Sequence, residues 1–299
     1  MSLDTPVEPA VIPWKKVFYW SVRRELWENR AIYMAPLVIA GVVLFGVFLS
    51  TFGLPHALRA IEAGDAGQAA RLMGPYSFVA LAVIMTEFFV AVSYCLGALH
   101  GERRDRSMLF WKSLPVSDFT TVMSKAAIPL LVVPVVTFAI ILASQLAILI
   151  WSTVLTLLNG LNPMLLWRHV DLSVMWVVLP YGLVVDTLWT APIFAWFILV
   201  SGWAKRMPIL WAVVPFVVPA MLEAGAFGTS HIGSFLSRRF FGGFGEAFSI
   251  GGKGRAAVNS VGDIDPVRVF TSPDIWLGLA VAAALLAAAV WLRRRREPI

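Results

Sequence analysis

The sequence predicts an all-α integral membrane protein with about six transmembrane helices. Hydrophobic residues make up 59% of the 299 residues and charged residues only 14%, whereas soluble domains contain about 45–50% apolar and about 25% charged residues. Because one span uses about 20 residues, a helix bundle accommodates residues 14–299 as a single membrane domain. Residues 1–13, with three prolines and two acids, are expected to form a disordered tail.

Six apolar runs have the length that a membrane span requires. The third and fourth runs are longer than a bilayer needs and contain two prolines each, which predict kinks or tilt. The fifth run contains Pro215 and Pro219 in its interior and carries Glu223 near its end, which leaves open a re-entrant or broken helix in place of a simple span. The six runs are 31–54, 76–99, 126–158, 174–201, 207–227 and 276–292.

The distribution of lysine and arginine predicts the orientation of the bundle. With the N-terminus inside, sixteen of the 24 basic residues fall on the inner side, including the terminal run from Arg293 to Arg296. The positive-inside rule therefore places both termini in the cytoplasm. The long outer segment 228–272 is rich in glycine, and its Arg238 and Arg239 next to two phenylalanines favour short interfacial helices.

Residues 14–30 are compatible with a helix but are too polar to cross a membrane. At about 100° per residue, Phe18, Val22 and Leu26 form an apolar stripe, and Trp20 and Trp27 lie beside a neighbouring basic stripe. This pattern is typical of a helix in the membrane interface, in contact with lipid headgroups. The sequence leaves open whether this helix only anchors the first span or also contacts a cytoplasmic partner.

Two acidic residues interrupt apolar runs, Glu87 in the second and Asp186 in the fourth. A carboxylate within the membrane is costly and usually faces the bundle interior or a water-filled path. Both residues are therefore candidates for lining a path or relaying protons, and the alternative is a structural carboxyl bonded to a neighbouring helix. Neither has the sequence context of an intramembrane aspartyl protease.

No motif for a metal or a nucleotide is found in the sequence. The four histidines are scattered, Cys95 is the only cysteine, and Gly252-Lys253-Gly254 lacks the other residues of a phosphate loop. The basic residues flank apolar runs and do not form a module that reads a nucleic-acid groove. We therefore expect no metal, no cofactor in this chain and no nucleic-acid partner.

The inner loop between the second and third runs carries the most informative pattern. Charges alternate in its first part, and an apolar cluster from Met108 to Leu114, including Leu109, follows. We predict a short helix over 107–114 that ends before Pro115 and inserts into a groove of a cytoplasmic partner, with Arg103 and Arg104 on a solvated rim. A loop folded on the membrane surface is the alternative. Ser117 or Asp118 is expected to cap the next helix.

This loop resembles the signature Glu-Arg-Arg-x-x-Ser-x-x-Phe-Trp-Lys-Ser-Leu-Pro-Val-Ser-Asp of bacterial ABC-2 type transporter permeases. The predicted six spans, cytoplasmic termini and N-terminal amphipathic helix are also similar to that family. The matching residues are Glu102, Arg103, Arg104, Ser107, Phe110, Trp111, Lys112, Ser113, Leu114, Pro115, Val116, Ser117 and Asp118.

The resemblance implies that the inner loop is a coupling helix that docks on a separate ABC ATPase subunit. It further implies that ATP and Mg²⁺ bind in that partner, that two permease subunits of the same or different sequence form the path, and that transport is export across the bacterial inner membrane. A membrane-embedded enzyme and a membrane scaffold are the competing classes. The residues themselves do not identify the cargo.

Overall fold

The computed structural model describes residues 13–62, 72–105, 116–170, 172–248 and 264–295. These residues form helices and connecting turns, with no β-strand in the described ranges. Six of the helical segments are long and apolar enough to cross a membrane. The prediction of an all-helical protein with six membrane-spanning helices is confirmed at this level.

The helices are numbered here in chain order. Short connections join several of them, including a 3₁₀ turn at Thr51–Gly53 and a π-helical turn at Ile128–Val132. Their bounds are α1 Trp14–Glu28, α2 Ala31–Ser50, α3 Leu54–Glu62, α4 Gly74–Gly97, α5 His100–Arg104, α6 Asp118–Ala127, α7 Val133–Leu158, α8 Pro163–His169, α9 Leu172–Trp203, α10 Pro208–Phe227, α11 His231–Ala247, α12 Pro266–Thr271 and α13 Pro273–Arg295.

The third span is a continuation of α6 through the π-helical turn into α7. Ser117 caps α6, since its hydroxyl oxygen accepts a hydrogen bond from the backbone N–H of Thr120 at 3.1 Å, as predicted for a residue at this position. Pro129 lies in the π-helical turn, where a residue without a backbone N–H disturbs the regular α-helical ladder. The helix α9, in contrast, continues through both Pro180 and Pro192.

The fifth span, α10, is one continuous helix of 20 residues, although the sequence left open a broken one. It begins after Met207, whose φ of 47° is left-handed, and ends at Gly228 with φ 65°. Ala212 is its one fully buried residue, so α10 lies at the edge of the bundle. Glu223, the acid that suggested a break, accepts hydrogen bonds from the first residues of α11.

The bundle core is built mainly on α9, which packs along α13, α11 and α4. A second group of contacts joins α2, α4 and α7. Cys95 is completely buried in the cluster that surrounds α9. At one end of the bundle the backbone of Gly202 on α9 lies so close to the turn after α4 and to α13 that an added Cβ would be 3.1 Å from Leu99 Cδ1 and 3.6 Å from Leu292 Cδ2.

Candidate functional site

Buried charged side chains gather at this end of the bundle, where α1, α5, α6 and α13 meet. Glu25 is 1% exposed, Lys125 2% and Arg293 6%, which is unusual because such residues are rarely buried unless they are paired. We call the group the charge cluster. Its members are Arg24, Glu25, Glu102, Asp118, Lys125 and Arg293.

Glu102 on α5 lies at the centre of the charge cluster. Its Oε1 is 3.0 Å from Lys125 Nζ and 3.6 Å from Arg24 Nη2, and its Oε2 is 2.5 Å from Arg293 Nη1. One carboxylate thus joins side chains from α1, α6 and α13. The contacts with Lys125 and Arg293 are charge-assisted hydrogen bonds, which are about twice as strong as neutral ones, and hold α5 to α6 and α13. The longer ion pair with Arg24 adds a contact with α1.

Glu25 on α1 provides a second carboxylate to the same lysine. Its Oε1 is 2.9 Å from Lys125 Nζ and 2.8 Å from Arg24 Nη2. The hydroxyl of Tyr94, on α4, donates a hydrogen bond of 2.9 Å to Glu25 Oε2. Both oxygens of this buried carboxylate are therefore satisfied, as a charge removed from water requires.

Asp118 completes the charge cluster at the first residue of α6. Its Oδ1 accepts a hydrogen bond of 3.0 Å from Arg293 Nε, so Arg293 bridges Asp118 and Glu102. The cluster contains three carboxylates and three cations, and the opposite charges balance. Removal of Glu25, Lys125 or Arg293 would leave an uncompensated buried charge, so the cluster favours the arrangement in which these helices meet.

The same surroundings shift the pKa values of Arg24 and Glu28 on α1. Burial alone lowers the pKa of the Arg24 guanidinium, but Glu25, Glu28 and Glu102 outweigh that effect and raise it. Burial raises the pKa of the Glu28 carboxyl, while the charge of Arg24 opposes the increase. Arg24 therefore remains charged and links Glu28, at 3.5 Å, to the charge cluster.

The charge cluster holds both ends of the inner loop. The helix α5 ends at Arg104, two residues after Glu102, and α6 begins at Asp118. The intervening positions 106–115 are outside the described residues, and with them Ser107, Leu109, Phe110, Trp111, Lys112, Leu114 and Pro115, so the predicted coupling helix stays a prediction. The structure places the two attachment points of this loop on one set of ion pairs.

The two arginines of the predicted rim differ from each other. Arg104 is exposed, with 70% of its side chain accessible, and pairs only with its neighbour Asp105 among the described residues. Arg103 is 5% exposed and donates a hydrogen bond of 2.7 Å to the carbonyl of Gly202; its predicted place on a solvated rim is wrong. The carbonyls at the C-terminal end of α9 lack intrahelical partners and carry partial negative charge, which attracts this guanidinium.

The two acids of the apolar runs have different environments. Glu87 on α4 is 2% exposed, and neither carboxylate oxygen has a hydrogen-bond partner among the described residues. Asp186 on α9 is half-buried and lies against α11, where a Cβ added to Gly243 would be 2.5 Å from Asp186 Oδ1. Because an uncompensated charge within the membrane is costly, Glu87 is the acid that calls for an additional partner.

The sequence alone did not reveal that Glu25, Lys125 and Arg293 meet, and only Glu102 and Asp118 of the charge cluster were singled out. A weak signal is present in α1, where Glu25, two helical turns after Phe18, lies on the apolar stripe. A carboxylate on the side of a helix that packs against a bundle needs a buried cation. Which cation it meets cannot be read from the sequence of α1.

Among the described residues, no group of three or more His, Cys, Asp or Glu side chains could hold a metal ion. Comparison with family models, with curated proteins and with solved structures gives no match for this chain.

Proposed function

We propose that this chain is the membrane subunit of an ATP-driven ABC-2 type transporter, an exporter in the bacterial inner membrane with both termini in the cytoplasm. It would form the translocation path together with a second permease subunit and dock a separate ATPase subunit that binds ATP and Mg²⁺. The proposal rests on the loop signature from Glu102 to Asp118 and on the ion pairs that hold the two ends of that loop.

The observation that carries the proposal is the anchoring of the loop by the charge cluster. Arg293 of α13 binds Glu102 before the loop and Asp118 after it, at 2.5 and 3.0 Å. A loop that only connects two spans has no need of buried ion pairs at both of its ends. A loop that transmits force does, since a displacement must reach the spans without being absorbed by local bending.

The mechanism follows from the helices that meet at the charge cluster. A partner that binds the loop and displaces it would move α5 and α6 together, and α6 continues into the third span. Glu102 also contacts α1 and α13, so the sixth span moves with the loop. ATP binding performs work in this scheme only if it favours one arrangement of the bundle over another, as in rigid-body switching between inward and outward openings.

The apolar residues of the loop are the proposed contact with the ATPase subunit. A cluster that contains Leu109, Phe110 and Trp111 exposes costly apolar surface unless a partner covers it. Aromatic anchors of this kind commonly dominate the affinity of an interface. The exposed Arg104 would contribute a salt-dependent attraction at the rim.

The test is co-purification of the ATPase subunit with Phe110→Ala and Trp111→Ala variants from native membranes, followed by ATP-driven transport in vesicles. Truncating a central aromatic anchor costs about 2 kcal/mol or more of binding, which is roughly a thirtyfold loss of affinity. Both variants should insert and fold but recover less ATPase and lose transport. Trp167→Ala is the matched control, because Trp167 is 56% exposed on α8, far along the chain from the loop.

Full recovery of the ATPase and full transport with both aromatics removed would refute the coupling role of the loop. A chain that binds no ATPase in any form and supports no ATP-dependent transport would instead favour the scaffold. An enzyme would be indicated by turnover in purified protein that survives both substitutions.

A further inference from the structure

A cavity of about 570 Å³ lies between α9, α10, α11 and α13. This volume is within the range of about 300–1,000 Å³ that small-molecule sites occupy. Its walls are aromatic and aliphatic and include Trp189, Trp196, Phe216, Val217 and Val281. Val217 and Val281 are 41% and 44% exposed, so the cavity opens on the outer surface of two spanning helices, the surface that would face lipid.

The charged side chains among the lining residues are Arg238, Arg239 and Asp274. Arg238 donates a hydrogen bond of 2.7 Å to Asp274 Oδ2, which compensates one of the two cations. Arg239 lies with its guanidinium 4.8 Å from the ring centre of Trp189. The three charges sum to one net positive charge at the edge of an apolar space.

The Nη2 atom of Arg239 is buried and has no hydrogen-bond partner in the described part of the chain. Its Nη1 is 3.5 Å from the carbonyl oxygen of Asp274, a long contact. A buried charged donor without an acceptor is costly. An anionic group beside the guanidinium would offset part of that cost by its charge.

Gly278 of α13 makes room for this guanidinium. A Cβ at position 278 would be 1.8 Å from Arg239 Nη2 and 2.9 Å from Cζ, so no other residue type allows Arg239 to lie where it does. The glycine brings the cation to the cavity wall. This arrangement suits a ligand that presents an anionic group to Arg239 and an apolar chain to the aromatic walls.

We infer that this cavity binds an anionic membrane lipid, with one acyl chain along Trp196, Phe216 and Val217 and the acidic headgroup paired with the guanidinium of Arg239. The lateral opening and the scarcity of polar wall atoms favour a lipid over a soluble anion, which would need more hydrogen-bond donors. The guanidinium distinguishes an acidic headgroup from a zwitterionic one by charge. This inference does not depend on the proposed transport function.

The experiment is titration of the full-length protein in detergent with phosphatidylglycerol or with phosphatidylcholine of the same acyl chains, read by native mass spectrometry. The wild type should bind phosphatidylglycerol more tightly. Arg239→Gln should lower that affinity by about tenfold or more, the value of one charge-assisted contact, and should lower phosphatidylcholine binding less, because the choline cation offsets the phosphate of that lipid. Arg168→Gln, which removes an exposed cation on α8, should change neither.

The part of the cavity that holds the acyl chain is tested by two substitutions, Val217→Trp on α10 and Val281→Trp on α13. Each fills the cavity, so each should weaken the binding of both lipids, with size-exclusion profiles as the check of folding. Equal wild-type affinity for the two lipids, or an Arg239→Gln variant that binds as the wild type does, would overturn the inference. Displacement of the lipid by inorganic phosphate alone, or crosslinks between two copies at positions 217 and 281, would also overturn it by assigning the cavity to another occupant.

Discussion

Lys125 connects the two carboxylates on which the charge cluster depends. Its ammonium group is 2.9 Å from Glu25 Oε1 and 3.0 Å from Glu102 Oε1, and the residue is 2% exposed. In the sequence it is one of many basic residues beside an apolar run. Because Lys125 is buried between the two carboxylates, it links α1 and α5 to the helix that leads into the third span.

Replacement of Lys125 by methionine should destabilise the protein strongly. The change keeps the length of the side chain but leaves Glu25 and Glu102 with excess negative charge in a buried site, and breaking a buried pair in this way costs about 3–5 kcal/mol. Arg104→Met is the matched control, because an exposed ion pair contributes less than about 1 kcal/mol. Unfolding in detergent, followed by circular dichroism, measures both, and equal stability of the two variants would contradict the role of the cluster.

Neutral amide variants of Glu87 and Asp186 test whether each acid takes part in transport. If Glu87 binds a proton or a polar group of the cargo, Glu87→Gln should lower transport while folding and recovery of the ATPase remain normal. Asp186→Asn should have the same effect if that residue also lines the path. Transport assays in vesicles with measured amounts of protein provide the test, and unchanged transport for both variants would leave a structural role for the two acids.

At the scale of helices, the sequence is most informative where the signal lies in consecutive residues. The six apolar runs, the amphipathic helix α1 and the cap at Ser117 are local patterns, and each was predicted at nearly its observed position. The charge cluster could not be predicted, because Glu25, Glu102, Lys125 and Arg293 come from separate segments and each resembles an ordinary charge beside a span. Arg103 was misplaced for the same reason, since its partner carbonyl is 99 positions away.

The connection between α10 and α11 depends on one side chain. Glu223 Oε1 accepts hydrogen bonds from the backbone N–H of His231 at 2.7 Å and from the hydroxyl of Thr229 at 2.8 Å, and Oε2 accepts from the N–H of Ile232 at 2.8 Å. The first N–H groups of a helix have no intrahelical acceptors, so this carboxylate orders the start of α11.

Glu223→Ala should therefore accelerate hydrogen exchange of the His231 and Ile232 amides and of the first turn of α11, with little effect on the spans. Ser234→Ala is the matched control, because the Ser234 hydroxyl donates to the carbonyl of His231 and accepts none of these N–H groups. Hydrogen–deuterium exchange mass spectrometry in detergent compares the two. Unchanged exchange at the start of α11 in the Glu223 variant would assign its ordering to packing alone.

In the whole molecule, α13 links the two sites that stand out. Arg293 near its C-terminal end belongs to the charge cluster, and Gly278 near its N-terminal end receives Arg239 at the cavity. Fifteen positions separate them, about 22 Å along a helix with a rise of 1.5 Å per residue. If a partner shifted α13 at the charge cluster, the cavity wall would move with it, and occupation of the cavity would in turn favour one position of α13.

The arrangement of the bundle in the membrane can be tested by asking whether two exposed positions, separated by a known number of spans, lie on the same side. Three candidate spans, Asp118–Leu158, Pro163–Trp203 and Pro208–Phe227, separate Arg104 from Val267, and an odd number of crossings places these two positions on opposite sides. Arg104 and Val267 are both well exposed, whereas the native Cys95 is fully buried and should not react. With a membrane-impermeant maleimide, Val267→Cys should be labelled in intact cells and Arg104→Cys only after permeabilisation, because the excess of basic residues predicts that the side of Arg104 is cytoplasmic. Labelling of both variants from the same side would mean that one of the three helices, most simply the little-buried α10, does not cross the membrane.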